Sequence, residues 1–237
     1  MNKKIMNFIK EIFKFIGYDI YKLRNSYRHN LLGLRNFQIK TIIDGGANRG
    51  QFAKSILNHF PNARIFSFEP CKEAFDELDN WAKNNTCGRV IAFNVALGEM
   101  NSTVKIYQHK LDWYSSILKY KVDSPDIVQK DIQIRTLDKF ISDQSIQINP
   151  DLLIKLDVQG YEDRVIRGGV NTFLKAKAIL LEVHFDHVYD GQANFKDILT
   201  SMEDLGFKYA GNFEQSYADD GHVQYVDALF LKREALT

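Results

Sequence analysis

The chain has 237 residues, 45% of them hydrophobic, which suits one α/β domain with a full core and a small appendage. Its formal charge of +1 hides an asymmetry: residues 1–40 hold nine Lys/Arg against two acids, +7, and the remainder holds 22 against 28, −6. The acidic main body lacks the basic groove that nucleic acid requires, so no nucleic-acid partner is expected. No apolar run approaches a membrane span of ~18 residues. Lys10, Glu11 and Lys14 interrupt any signal-peptide core, and Cys71 and Cys87 form neither a metal nor a disulfide pattern. A reducing, cytoplasmic location is expected.

At the N-terminus, Ile5, Phe8, Ile9, Ile12 and Ile16 recur at helical spacing, with Lys3, Lys10 and Lys14 on other faces. Such a basic amphipathic arm, residues 1–39, either covers a face of the following domain or, through residues 1–35, touches an anionic membrane surface from the cytoplasmic side. From residue 40 to 237 strands and helices alternate. Strands are predicted at 41–46, 64–69, 89–96, 151–157 and 177–183, and helices near 50–59, 71–84, 162–174 and 194–205. Two further strands, one beginning at 207–210 and one at 224–232, follow the last helix and read as a reversed terminal hairpin. This rhythm predicts an α/β, doubly wound, mostly parallel Rossmann-like sheet.

Residues 98–150 break the rhythm, with short strands at 103–107 and 130–135 around Trp113-Tyr114-Ser115-Ser116-Ile117. Trp113 and Ser116 are candidate substrate contacts in this insertion, which is otherwise an ordinary surface excursion.

The first strand ends in Asp44-Gly45-Gly46-Ala47-Asn48-Arg49-Gly50, and a helix begins at Gln51. A strand, a glycine turn and a helix present backbone N–H groups to a nucleotide-like cofactor. The Asp44 carboxylate would repel a pyrophosphate and attract the ammonium of a methionine moiety. The turn therefore reads as an S-adenosylmethionine (SAM) site, its spacing resembling the D-x-G-x-G-x-G signature of class I methyltransferases. Asn48 replaces the middle glycine, and asparagine tolerates left-handed backbone. Glu69, at the end of the second strand, stands at the spacing of an acid that accepts hydrogen bonds from ribose hydroxyls. Pro70 makes the exit into the next helix.

Four blocks in order, IIDGGANRGQF (42–52), FSFEP (66–70), VALGE (95–99) and LLIKLDVQGYEDRVIRGG (152–169), resemble the FkbM-type methyltransferases over roughly residues 40–232. The resemblance implies a class I methyltransferase fold and transfer of a methyl group from SAM to a hydroxyl of a sugar, glycan or glycosylated metabolite. Carried over by position, it implies that Asp44, Gly46, Asn48 and Gly50 hold the methionine part. Glu69 and Pro70 would stand at the ribose, and Asn94 and Ala96 near the adenine. Asn94 reads equally as a strand-end turn residue.

Methyl transfer to a hydroxyl needs alignment and a proton acceptor. Lys155, Asp157 and Glu162 gather at the C-terminal end of the 151–157 strand, where open α/β sheets bind ligands. Alternation puts Lys155 and Asp157 on one side, as a structural ion pair or an acid–base device. Asp157 is the first candidate for proton acceptor and His184 the second, His184 having an ordinary pKa of about 6.5. Gln159 shapes the turn and is a candidate acceptor contact. Glu162 either binds acceptor hydroxyls or caps the helix. Asp157, Glu182 and His184 would also suit a divalent metal that acidifies the hydroxyl. The competing readings are a SAM-binding module without turnover and a nicotinamide-dependent oxidoreductase. Asp44 and the missing second glycine disfavour the latter.

Overall fold

A computed structural model of the chain describes residues 3–17, 31–110, 114–122 and 124–232. Trp113 lies outside the described residues. The chain divides into two compact units, residues 1–36 and 37–237. The first contains helix α1 (Lys3–Phe15), formed where the apolar spacing predicts it, and a short 3-10 segment at Leu31–Asn36. Phe8, Ile12, Phe15 and Ile16 are exposed.

In the second unit, β1 (Thr41–Gly45), β2 (Arg64–Phe68), β3 (Val90–Phe93), β7 (Leu152–Leu156) and β8 (Ala176–His184) run parallel. β10 (Val223–Lys232) lies antiparallel between β8 and β9 (Phe207–Tyr217). The sheet order is β3-β2-β1-β7-β8-β10-β9. All five residues of β1 and of β7 are buried, as expected for central strands covered on both faces. The flanking helices are α2 (Gln51–Ile56), α3 (Lys72–Asn85), α4 (Leu137–Asp143), α5 (Glu162–Gly168), α6 (Val170–Phe173) and α7 (Phe195–Asp204). α3 buries Ala74, Leu78 and Ala82, one stripe at i, i+4, i+8. Asn194 and Asp197 close a capping box at the start of α7.

This is the class I methyltransferase architecture, with its mostly parallel sheet and reversed terminal hairpin. The chain leaves β1 towards β2 and later returns to β7 on the other side of β1. The order therefore reverses between β1 and β7, and a crevice opens at their C-terminal ends.

Three elements differ from the sequence expectation. The strand expected at 89–96 is broken: β3 stops at Phe93, and β4 (Ala96–Leu97) joins a second sheet. There it pairs with β6 (Ile127–Arg135), which pairs in turn with β5 (Ser102–His109). Asn94 makes the break, turning its side-chain amide back to the carbonyls of Glu69 (2.9 Å) and Pro70 (3.0 Å). The helix expected at 162–174 is split into α5 and α6 at Gly168-Gly169. Gly168 packs so closely on the Gly98 carbonyl that a Cβ would collide with it. Helix α4 falls at Leu137–Asp143, where no helix is expected, and β9, expected to begin at 207–210, runs to Tyr217 along β10.

Gly46 sits at φ +68, and a Cβ there would run into the Asp157 carbonyl at the end of β7. The glycine thus allows the first turn and the β7 exit to touch. Gly46→Ala should lower unfolding free energy by about 2 kcal/mol or more, combining left-handed strain with overpacking. Urea unfolding followed by circular dichroism measures this; an unchanged midpoint would show that the turn relaxes freely.

Candidate active site

The crevice contains a cavity of about 410 Å³, within the range that holds small ligands. The glycine turn forms one wall. Gly46 N–H and Ala47 N–H both donate to the Phe68 carbonyl at 3.0 Å, which fixes the turn to β2. Asn48 is left-handed, at φ 46, as the motif requires. Its N–H donates to Glu69 Oε2 at 2.7 Å, and Cys71 N–H donates to Glu69 Oε1 at 2.8 Å. Glu69 is thereby oriented by two backbone donors while it lines the cavity. Burial pushes its carboxyl up to about 7, against the pull of those donors.

Lys155, Asp157 and Gln159 line the same cavity from the end of β7 and the loop after it. The Lys155 ammonium lies 3.1 Å from the Gly46 carbonyl, 3.3 Å from Asp44 Oδ1 and 3.5 Å from Asp157 Oδ2. The Asp44 contact is a charge pair without hydrogen-bond alignment. Burial opposes the charge on Lys155, but Asp157, Asp44, Asp227 and Glu182 outweigh it and raise its pKa.

Gln159, left-handed at φ 55, is the hub of the wall. Its Nε2 donates to Asp157 Oδ1 (2.9 Å) and Glu182 Oε2 (2.5 Å), and its Oε1 accepts from the Tyr189 hydroxyl (2.7 Å). Burial, then the Asp157 and Asp227 carboxylates, push Glu182 well above its ordinary value.

Of the residues singled out in the sequence, Gly46, Asn48, Glu69, Pro70, Ala96, Lys155, Asp157 and Gln159 face this cavity. Two comparisons of sequence bear on what such a site does. The family model for the methyltransferase FkbM domain matches residues 44–209, most of the chain. The chain belongs to the FkbM methyltransferase family.

Among relatives of this FkbM domain, it is 29% identical over 185 residues to 2-O-methyltransferase NoeI of Sinorhizobium fredii (strain NBRC 101917 / NGR234). That match covers 68% of this chain and 72% of the relative. Methyltransferase sdnD of Sordaria araneosa is 25% identical, with 67% of this chain and 66% of the relative covered. Among solved structures, methyltransferase FkbM from Methylobacillus flagellatus KT superposes with a TM-score of 0.51 at 14% identity. The alignment covers 82% of this chain but only 44% of that one. An O-methyltransferase from Bacillus cereus in complex with SAH gives 0.52 at 9% identity, covering 98% and 92%. At these identities the structural likeness shows the fold alone.

SAM is the cofactor of this fold. The residues present fit it: a cavity of suitable size lined by the glycine turn at Gly46, Ala47 and Asn48, and a carboxylate, Glu69, fixed by two backbone donors at the same cavity.

Several sequence candidates lie behind the FkbM cavity wall rather than on it. Asp44 is fully buried, its carboxylate taken by Lys155 and by the Ser67 hydroxyl (3.3 Å), so it does not reach a methionine group directly. Gly50 caps α2 at φ 82, packed towards Leu78. Asn94 is exposed, makes the strand-end turn with its amide on the Glu69-Pro70 exit, and lines a neighbouring cavity with Pro70 and Cys71. Ser116 is 1% exposed, donating to the Gln159 carbonyl (2.6 Å) and accepting from Leu118 N–H; its neighbours Ser115 and Ile117 face the cavity instead. Glu162 accepts from Val158 N–H (2.9 Å), closing the turn before α5, and burial pushes it up to about 8. His184 stands 3.1 Å from Glu182, lowered by burial and away from the cavity.

Among the described residues, no three His, Cys, Asp or Glu side chains converge as a metal site. Asp157 and Glu182 are bridged by the Gln159 amide, and His184 reaches only Glu182. The sequence reading missed Asp227, Phe213 and Glu214, which line the cavity from β9 and β10. Asp227 leaves one local trace: a lone acid in the apolar run QYVDALFLK.

Burial raises five carboxyls here, those of Asp44, Glu69, Glu162, Glu182 and Asp227. Between the unfolded carboxylate pKa of about 4 and these raised values, the folded state binds more protons than the unfolded state. Stability is therefore greatest at the acidic end and falls as pH rises through them. His184 works the other way, one group against five. Surface acids held low, such as Glu73 beside Lys130, titrate below the window. The melting temperature of the ligand-free protein should fall between pH 5 and pH 8.5. Glu162→Gln keeps the acceptor for Val158 and should make the fall shallower; a flat wild-type profile by calorimetry would contradict the burial argument.

Proposed function

We propose that this FkbM methyltransferase transfers a methyl group from SAM to a hydroxyl of a sugar, glycan or glycosylated metabolite in polysaccharide or natural-product biosynthesis. The observation that carries this reading is that Asp157 and Glu69 line one cavity, Glu69 held by two backbone donors of the glycine turn and its exit. Glu69 suits the ribose of a cationic donor; Asp157 offers a carboxylate to a hydroxyl proton. The name of NoeI, a 2-O-methyltransferase, supports oxygen as the acceptor.

When bound, SAM supplies a methyl group already activated by its sulfonium. Glu69 accepts hydrogen bonds from the ribose hydroxyls. The glycine turn and Lys155 hold the methionine end, with Asp44 fixing Lys155 from beneath. Asp157 receives the acceptor's proton as its oxygen bonds to the methyl carbon and the carbon–sulfur bond breaks. The products are a methyl ether, S-adenosylhomocysteine and protonated Asp157, which returns the proton to solvent. The alternative, a domain that binds SAM without turnover, is disfavoured by Lys155, Asp157 and Gln159 standing in the same cavity.

Glu69→Ala should weaken SAM binding about tenfold or more, the loss of charged hydrogen bonds worth about 1.5–3 kcal/mol. Asp157→Asn should cut turnover about 10²–10⁴-fold while leaving SAM affinity within about twofold. Calorimetry and a labelled-methyl assay over a hydroxylated glycan panel separate the two effects. Equal losses of affinity and turnover in Asp157→Asn would remove it as the proton acceptor.

The charge of +7 over residues 1–40 and the amphipathic α1 support a second proposal, peripheral contact with an anionic membrane. No described helix is long and apolar enough to cross one. The full chain should sediment with phosphatidylglycerol vesicles at low salt and stay free of phosphatidylcholine vesicles. A form lacking residues 1–35 should lose this binding; equal sedimentation of both would sink the idea.

A further inference from the structure

Asp227 is a cavity-facing acid that the mechanism above does not use. It lies on β10 directly opposite Glu182 on β8, in the row of the sheet that leads from Asp157. Its carboxylate lines the cavity beside Phe213 and Glu214, and among the described residues it makes no hydrogen bond. A carboxylate has several lone-pair positions, and one left without donors inside a wall is a ready acceptor for ligand hydroxyls.

The charges around it narrow the ligand. Among the described residues, the acids lining the cavity are Glu69, Asp157, Glu214 and Asp227, against one base, Lys155. Lys155, paired with Asp44, Asp157 and the Gly46 carbonyl, serves the methionine end of SAM in this reading and not the acceptor. Among the described residues, no arginine or histidine lines the cavity. A phosphate or carboxylate next to the reacting hydroxyl would thus face acids with no spare cation. An uncharged polyhydroxylated ring would meet acceptors well matched to its donors.

We propose that Asp227 binds a hydroxyl neighbouring the one that is methylated, and that the acidic wall it completes selects an uncharged sugar ring over an acidic one. This rests on the O-methyltransferase reading and names its acceptor class and a residue that sets it. Glu69 serves the donor end of the cavity, Asp157 the transferred proton, and Asp227 the orientation of the acceptor.

The test uses the full chain at pH 8.5, where Asp227, pushed up to about 7 by burial and by Asp157, is ionised. S-adenosylhomocysteine affinity is measured by calorimetry. Labelled methyl transfer is measured on matched p-nitrophenyl hexosides and hexuronides. The unsubstituted protein should label a hexoside and discriminate against its hexuronide. Asp227→Asn should hold S-adenosylhomocysteine within about twofold, which also reports a folded cavity. It should lose about 10- to 100-fold in kcat/KM for the hexoside, mostly through KM, and raise the hexuronide-to-hexoside ratio. Asp227→Glu should retain the discrimination. Unchanged hexoside KM and ratio in Asp227→Asn would overturn the role of Asp227 alone. A loss of S-adenosylhomocysteine affinity equal to the loss in transfer would assign Asp227 to the cofactor and overturn it too. No hexoside labelling by the unsubstituted protein would overturn both this inference and the sugar-acceptor reading.

Discussion

One buried ammonium organises this molecule. Lys155 stands on β7 in register with Asp44 on β1, at the point where the strand order reverses. Its neighbours are the Asp44 and Asp157 carboxylates and the Gly46 carbonyl, with the Phe52 ring 5.7 Å away. Removing one partner of a buried ion pair leaves the other charge uncompensated, at a cost of about 3–5 kcal/mol. Such an arrangement is poor evidence for stability and good evidence for position. Here it fixes the glycine turn of β1 against the exit of β7, two segments that line the same cavity. The glycine at position 46 is the steric half of the same contact, since any side chain would separate the two segments.

Gln159 extends that fixed point outward. Its amide satisfies Asp157, Glu182 and Tyr189 together, and its carbonyl accepts from Ser116 in the inserted region. The insertion is thereby tied to the loop after β7. A buried network of this kind holds shape well only when every member is satisfied. Gln159 has the two donors and the acceptor needed, whereas glutamate would bring a further charge among Asp157 and Glu182. The left-handed backbone at Gln159 directs the side chain back under the cavity, a cost repaid by three hydrogen bonds.

What the sequence reveals divides along the range of the interactions involved. The Gly46–Asn48 turn, the Glu69-Pro70 exit and the Lys155–Asp157 alternation are local, so strand period and turn chemistry locate them. The fold follows from the same local rhythm, because alternating strands and helices leave few ways to bury both faces of a sheet. Ser116 shows the limit. Which of three neighbouring residues faces the cavity depends on its bridge to Tyr107, and that phase is not written in the segment itself. Asp227 is harder still, since its place beside Glu182 is set by the register of β10 on β8. Asp44 fails for another reason. The motif puts an acid at the strand end, but burial and a lysine from another strand decide what the acid can touch.

The same charges bear on how a carboxylate can serve as the proton acceptor. A carboxylate is a weak base towards an alcohol. A hydroxyl oxygen that has begun to bond to carbon becomes strongly acidic, however, so the proton leaves readily once transfer is under way. The demand on Asp157 is then one of position rather than basicity, and position is what Lys155 and Gln159 provide. This also explains why a histidine is not needed at the wall. His184, neutral and packed on Glu182 behind the cavity, contributes to the frame that holds the acids in place. The site spends its polar groups on alignment and leaves the driving force of the reaction to the sulfonium donor.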